Sequence, residues 1–215
     1  MPKVKVRNEV RPDRKAQREA AERKKRRNSL LWRSALVLAV LSAAGLFYRS
    51  YTQRQLLAKA VTTASYPAGL HMAGPINYLE SPPIGGPHNV VWQNCGIYDA
   101  PIHNEHAVHS MEHGAVWITY RPDLPPDGVQ RLKAVASDDF VLLSPYPGLA
   151  GQVVASAWNH QITLDDATDS RLQGFIARYK NNPETTPEFG ASCAGGTSAT
   201  AAADTLNTAP RGMTR

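Results

Sequence analysis

Residues 103–120 read HNEHAVHSMEHGAVWITY, and the fold turns on how this stretch divides. Its second part, 115–120 (AVWITY), is β-branched and aromatic and is stopped by Arg121-Pro122, so it reads as a strand. Its first part puts His109 and His113 four residues apart, a spacing that shares a face in a helix and in a strand. Gly114 follows at once, where the residue after a helix end is often glycine. A short helical turn feeding a strand is therefore the preferred reading.

Downstream, 126–137 carries Val129, Leu132 and Ala136 at helical spacing with Asp127 in the first turn. Two short apolar runs follow, 140–144 (FVLLS) and 153–158 (VVASAW), separated by Pro145-Tyr146-Pro147-Gly148. The stretch 165–179 opens acidic and aligns Leu172, Phe175, Ile176 and Tyr179, which makes a second helix. Upstream, 66–106 is rich in Pro, Gly, His and Asn and reads as ordered loop. The expected fold class is α+β: a small, largely antiparallel sheet with two helices on one face. Beyond about Phe189 the composition falls to Ala, Gly, Ser and Thr. Residues 194–215 are expected to be disordered, since they have little apolar surface to offset ordering.

The amino-terminal part has another character. Residues 1–28 hold 12 Lys+Arg against 4 Asp+Glu, while residues 50–215 hold 10 against 14. The overall +6 is thus confined to a short tail, and the remainder has no basic surface for nucleic acid. Residues 29–48 (SLLWRSALVLAVLSAAGLFY) carry one charge, Arg33, and 20 residues at ~1.5 Å each span a bilayer core. Arg33 can snorkel, and Trp32 and Tyr48 mark the interfaces. The basic tail then keeps residues 1–28 in the cytoplasm. A cleaved signal peptide ending near Ser42-Ala43-Ala44 is the competing reading, against which Leu46, Phe47 and Tyr48 prolong the apolar run. The expected organisation is a basic cytoplasmic tail (1–28), a transmembrane anchor in the lipid bilayer (29–48), a helical stalk with Leu56, Leu57 and Ala60 on one side (49–65), and an extracytoplasmic domain (66–193).

Cys95 and Cys193 are the only cysteines, both beyond the anchor. On an oxidising side they would pair, although two free thiols, or Cys95 as a metal ligand, are alternatives.

Six of the seven histidines, His71, His88, His103, His106, His109 and His113, lie between positions 71 and 113. Neutral imidazole is a common ligand of transition metals, and two on one turn lower the cost of ordering a site. His88 stands on a Pro- and Gly-stiffened approach, 82–87 (PPIGGP), that suits a side chain aimed at one point. The candidate metal ligands are His88, His109 and His113, with His71 as a fourth and Glu112 binding directly or orienting an imidazole. Met72 and Met111 nearby would favour copper, while the imidazoles alone suit zinc equally. His103, His106 and His160 read as structural. The alternative for the whole cluster is a hydrogen-bonded brace within an accessory subunit of an envelope or membrane complex.

The run 109–113 also spells H-x-x-E-H, a zinc peptidase signature in which the glutamate is the general base. That chemistry needs a long helix, and its further glutamate ligand comes down to Glu184 or Glu188. No Walker loop, dinucleotide fingerprint or serine nucleophile elbow is present, and no catalytic residue is assigned.

The Pro-Pro-x-x-Gly-x-His turn, Gly96-Ile97-Tyr98, the element Val108-His109-Ser110-Met111-Glu112-His113-Gly114 and Tyr120-Arg121-Pro122 together resemble the bacterial membrane-anchored domain of unknown function numbered 3105. The likeness covers about residues 66–193. It implies an anchored extracytoplasmic domain in which the turn and the histidine element matter, and it implies no reaction. Gly85 stands where serine is expected, and Met111 where leucine is expected.

Overall fold

The computed structural model describes residues 13–201. The chain divides into two compact units, Met1–Thr52 and Gln53–Arg215. In the first, helix α1 (Arg14–Ala60, which runs on into the second unit) includes the apolar stretch and is long and apolar enough to cross a membrane. Residues 1–12 of the basic tail lie outside the described residues, and 14–28 are helical.

The second unit is built on a six-stranded sheet. Its strands are β1 (Thr62–Thr63), β2 (Gly96–Ile97), β3 (Val116–Tyr120), β4 (Val141–Pro145), β5 (Val153–Ala157) and β6 (His160–Leu164), in the order β1-β6-β5-β3-β4-β2. The expected small, largely antiparallel sheet is corrected here: it is larger and mixed. Strand β4 pairs parallel with both β2 and β3, whereas β3–β5, β5–β6 and β1–β6 are antiparallel. The cause is the connection between β3 and β4. It contains helix α3 (Pro126–Val135), and a crossover of that length returns the chain parallel to itself.

Strand β3 has both faces covered. Val116, Ile118 and Tyr120 pack with Leu132 of α3 and with Leu172, Phe175 and Ile176 of α4 (Arg171–Tyr179). Trp117 points the other way, onto Ala107, Val108 and Met111 of α2 (Asn104–Glu112), and its Nε1–H donates to Ser144 Oγ at 3.0 Å. The two expected helices therefore share a face, and a third, α2, covers the opposite one.

The stalk also differs from expectation. Helix α1 ends at Ala60, and Thr62–Thr63 then joins the sheet beside β6. Leu57, Ala60 and Val61 pack on the sheet core, but Leu56 is exposed. Adjacent helical residues differ by about 100° in direction, so Leu56 and Leu57 cannot share one narrow contact face. Residues 194–201 depart from the expected disorder as well. Main-chain hydrogen bonds substitute for apolar burial there: Thr197 N–H donates to Trp92 O and Asn94 N–H to Thr197 O, at 2.9 and 2.7 Å. Gly196 lies so close that a Cβ would sit 2.2 Å from Trp92 O. The rest of the expected tail, 202–215, lies outside the described residues. Cys95 and Cys193 are bonded, with Cα atoms 5.4 Å apart, beside this docked segment.

Candidate metal centre

Helix α2 is short and buried from Glu105 to Glu112. Ala107, Val108 and Met111 give it an apolar face toward the sheet. Its other side is held by the loop that precedes it: Ile76 N–H donates to Glu105 Oε1 at 2.8 Å, and Ser110 Oγ–H to Gln93 O at 2.7 Å. Gly114 ends the helix with φ +102°, a conformation that side chains resist, and a Cβ there would meet Asn181 Cα at 3.0 Å. The loop itself is tied by a bridge between His71 and His88, through Met72 N–H to His88 O (2.7 Å) and His88 N–H to Leu70 O (2.9 Å).

These elements bring three imidazoles together. The ring centroids of His71, His88 and His109 stand 4.8, 4.8 and 4.9 Å apart, an almost equilateral triangle. One nitrogen from each, with a Glu112 oxygen, lies within 4.8 Å of all the others. His88, His109 and Glu112 are buried and His71 is exposed, so the group opens to solvent on one side.

The tautomers follow from the backbone. His88 Nδ1 lies 2.9 Å from Gly86 O, and His109 Nδ1 lies 2.7 Å from Asn89 O. A carbonyl only accepts, so both Nδ1 atoms carry the proton, and in the neutral ring each Nε2 keeps its lone pair. His88 Nε2 then faces Glu112 Oε2 at 2.8 Å, with both side chains fully buried and neither atom in a hydrogen bond of acceptable geometry. The other Glu112 oxygen accepts the Gly69 N–H at 2.6 Å.

Burial works against the Glu112 charge, but the facing His88 ring and the Gly69 N–H outweigh it and hold the carboxyl below its ordinary range. Burial drives His109 down to about 3; the Asn89 carbonyl opposes this, and neighbouring His88, His113 and His71 reinforce it. His109 is thus a neutral ring at physiological pH, the form that binds metal.

His113 takes a different position from the one expected. Its ring lies 4.6 Å from that of His109, but its Nε2 meets Glu188 Oε2 at 3.1 Å. His109, His113 and Glu188 form a second group, again within 4.8 Å. Trp92 also belongs to this neighbourhood, its ring 5.0 Å from that of His113 and 5.7 Å from that of His109. Nothing local in the sequence marks Glu188 or Trp92, because long-range folding brings both to α2.

Met111 is completely buried in the apolar cluster and Met72 is exposed. The Met111 sulfur therefore serves packing, as a residue on the sheet-facing side of a helix must. His103 and His106 pair with each other at 5.5 Å, and the His160 ring stacks on Tyr179 at 4.4 Å.

Fold and cluster define a mixed α+β domain with a buried histidine–carboxylate group. A family model described as "Protein of unknown function (DUF3105)" matches residues 70–195, more than half of the chain, and the chain belongs to that family. No curated protein and no solved structure matches it.

Proposed function

We propose that this chain is a single-pass membrane protein whose extracytoplasmic domain binds a transition metal, zinc or copper, through His71, His88, His109 and Glu112, for metal handling or in support of a membrane complex. One observation carries the reading. Two buried acceptors, His88 Nε2 and Glu112 Oε2, confront each other at 2.8 Å, and a cation between them removes an otherwise costly arrangement. The neighbouring His71 and His109 nitrogens complete four donors of three nitrogens and one oxygen. That set, with the Met111 sulfur in the apolar core, suits zinc better than Cu(I). The Nδ1–H bonds to Gly86 and Asn89 match the carbonyl partners that orient metal-bound imidazoles.

Extracytoplasmic placement is supported by the +8 balance of residues 1–28 before the apolar stretch and by the Cys95–Cys193 bond. The test is elemental analysis of the full chain purified without a polyhistidine tag, alongside His88→Ala. Bound zinc or copper in the first and its loss in the second would support the reading.

A second reading has its own support. A proton on His88 would make an imidazolium–carboxylate brace, and Gly69 N–H to Glu112 Oε1 ties the same loop to α2. Under that reading the purified chain carries no metal. Hydrolytic use of the H-x-x-E-H element is less well supported, because both Glu112 oxygens face partners and the side chain is fully buried.

A further inference from the structure

We infer that His113 and Glu188, with His109 as a shared ligand, form a second metal position whose carboxylate is exposed, from which the ion passes to the one whose carboxylate is buried. This rests on the metal-binding reading above and adds a route to it.

The outer pair repeats the design of the inner pair. His113 Nδ1–H donates to Ser192 O at 2.7 Å, as His88 Nδ1–H does to Gly86 O. In each case Nε2 then faces a glutamate oxygen, at 3.1 Å for Glu188 and 2.8 Å for Glu112. The two differ in exposure. The His88 and Glu112 side chains are 0% exposed, so the inner group meets solvent through His71 and not through its carboxylate, whereas in the outer pair the carboxylate itself is accessible: Glu188 is 44% exposed beside a His113 that is 6% exposed. The outer group offers three donors and the inner group four, so the outer one holds an ion more weakly and exchanges it faster.

His109 joins them. It is a member of both groups, and because its Nδ1–H is committed to Asn89 O, its one lone pair for an ion is on Nε2. One lone pair serves one ion at a time, so transfer exchanges Glu188 and His113 for His71, His88 and Glu112 while His109 stays in contact with the ion. The glutamates are also linked through the backbone, since Glu188 N–H donates to Glu112 O at 3.1 Å. Trp92 lies against both His109 and His113, walling this route.

The test is zinc uptake by the full-length chain in detergent, read from the loss of a chromophoric zinc–chelator complex. Glu188→Gln should leave the tightly bound zinc per chain unchanged and slow uptake about 10-fold or more. His88→Ala should lose the tight zinc but keep a weaker binding that disappears in the His88→Ala, Glu188→Gln double variant. Uptake by Glu188→Gln at the wild-type rate, with tight binding intact, would overturn the outer position alone. Wild-type chain that takes up neither zinc nor copper would overturn the metal reading beneath it.

Discussion

His88 Nε2 and Glu112 Oε2 lie 2.8 Å apart with both side chains fully buried, one on the loop before α2 and the other at the last residue of α2. Whatever sits between these atoms, a metal ion or a proton, couples the loop to the helix. Glu112→Gln separates the two cases. The carboxamide can donate to His88 Nε2 and so keep a brace, but it is a poor metal ligand. We expect metal affinity to fall by about 10-fold or more while the melting temperature of the metal-free chain changes little. Unaltered metal content in this variant would contradict the role given to Glu112.

The Cys95–Cys193 bond closes a long segment, with a sequence separation of 98. The chain-entropy account assigns a loop of this size up to about 4.7 kcal/mol. Native protein should contain no alkylatable thiol, and Cys95→Ala, Cys193→Ala should lower unfolding free energy by about 2–5 kcal/mol. Two free thiols in the membrane-purified chain would refute both the bond and its stabilising role.

Arg171 donates to Asp169 and holds its carboxyl down to about 2, from 3.8. The folded value lies below the unfolded one, so the pair stabilises the fold above pH ~4, and that contribution is lost as pH falls from about 4 toward 2. Asp169→Asn should cost on the order of 1–2 kcal/mol at pH 7, after allowing for screening of the partly exposed arginine, and almost nothing at pH 2. Denaturant unfolding at the two pH values measures the difference. An equal cost at both would show that the carboxylate charge is irrelevant.

The balance of charge before the apolar stretch sets an orientation. A reporter fused after Arg215 that is active only outside the cytoplasm should be active, and one active only in the cytoplasm should be silent. The reverse pattern would remove the oxidising environment from the domain and the metal route with it.

Much of this was legible in residues 103–120. The helix that stops at Gly114 and strand β3 follow from local spacing; of the expected set of His88, His109 and His113 with His71 and Glu112, the structure groups His71, His88, His109 and Glu112 and sets His113 beside Glu188. The mixed sheet was also written in the chain, as strand, helix, strand across 116–145, although the short strands suggested hairpins instead. Strand β6 was missed. Asn159, at φ +62°, lies in the two-residue turn between Ala157 and His160, and a positive-φ asparagine in such a turn is a hairpin signal. Helix α4 starts later than its acidic run because Asp166 and Asp169 bond Thr168 N–H and Arg171 N–H, forming turns before the helix. What no local pattern could reveal is the partner of His113. Glu188 reaches it only because 186–197 folds back along the Trp92–Cys95 segment, held there by main-chain hydrogen bonds and the Cys193 bond.

The central claim is that three imidazoles and one carboxylate hold one ion. X-ray absorption at the metal edge of the zinc-loaded full-length chain tests it most directly. The account predicts nitrogen and oxygen neighbours at about 2.0–2.1 Å, with the outer-shell scattering of imidazole rings, and loss of that signature in His88→Ala. A shell of sulfur near 2.3 Å, or a chain that retains no zinc to measure, would contradict it.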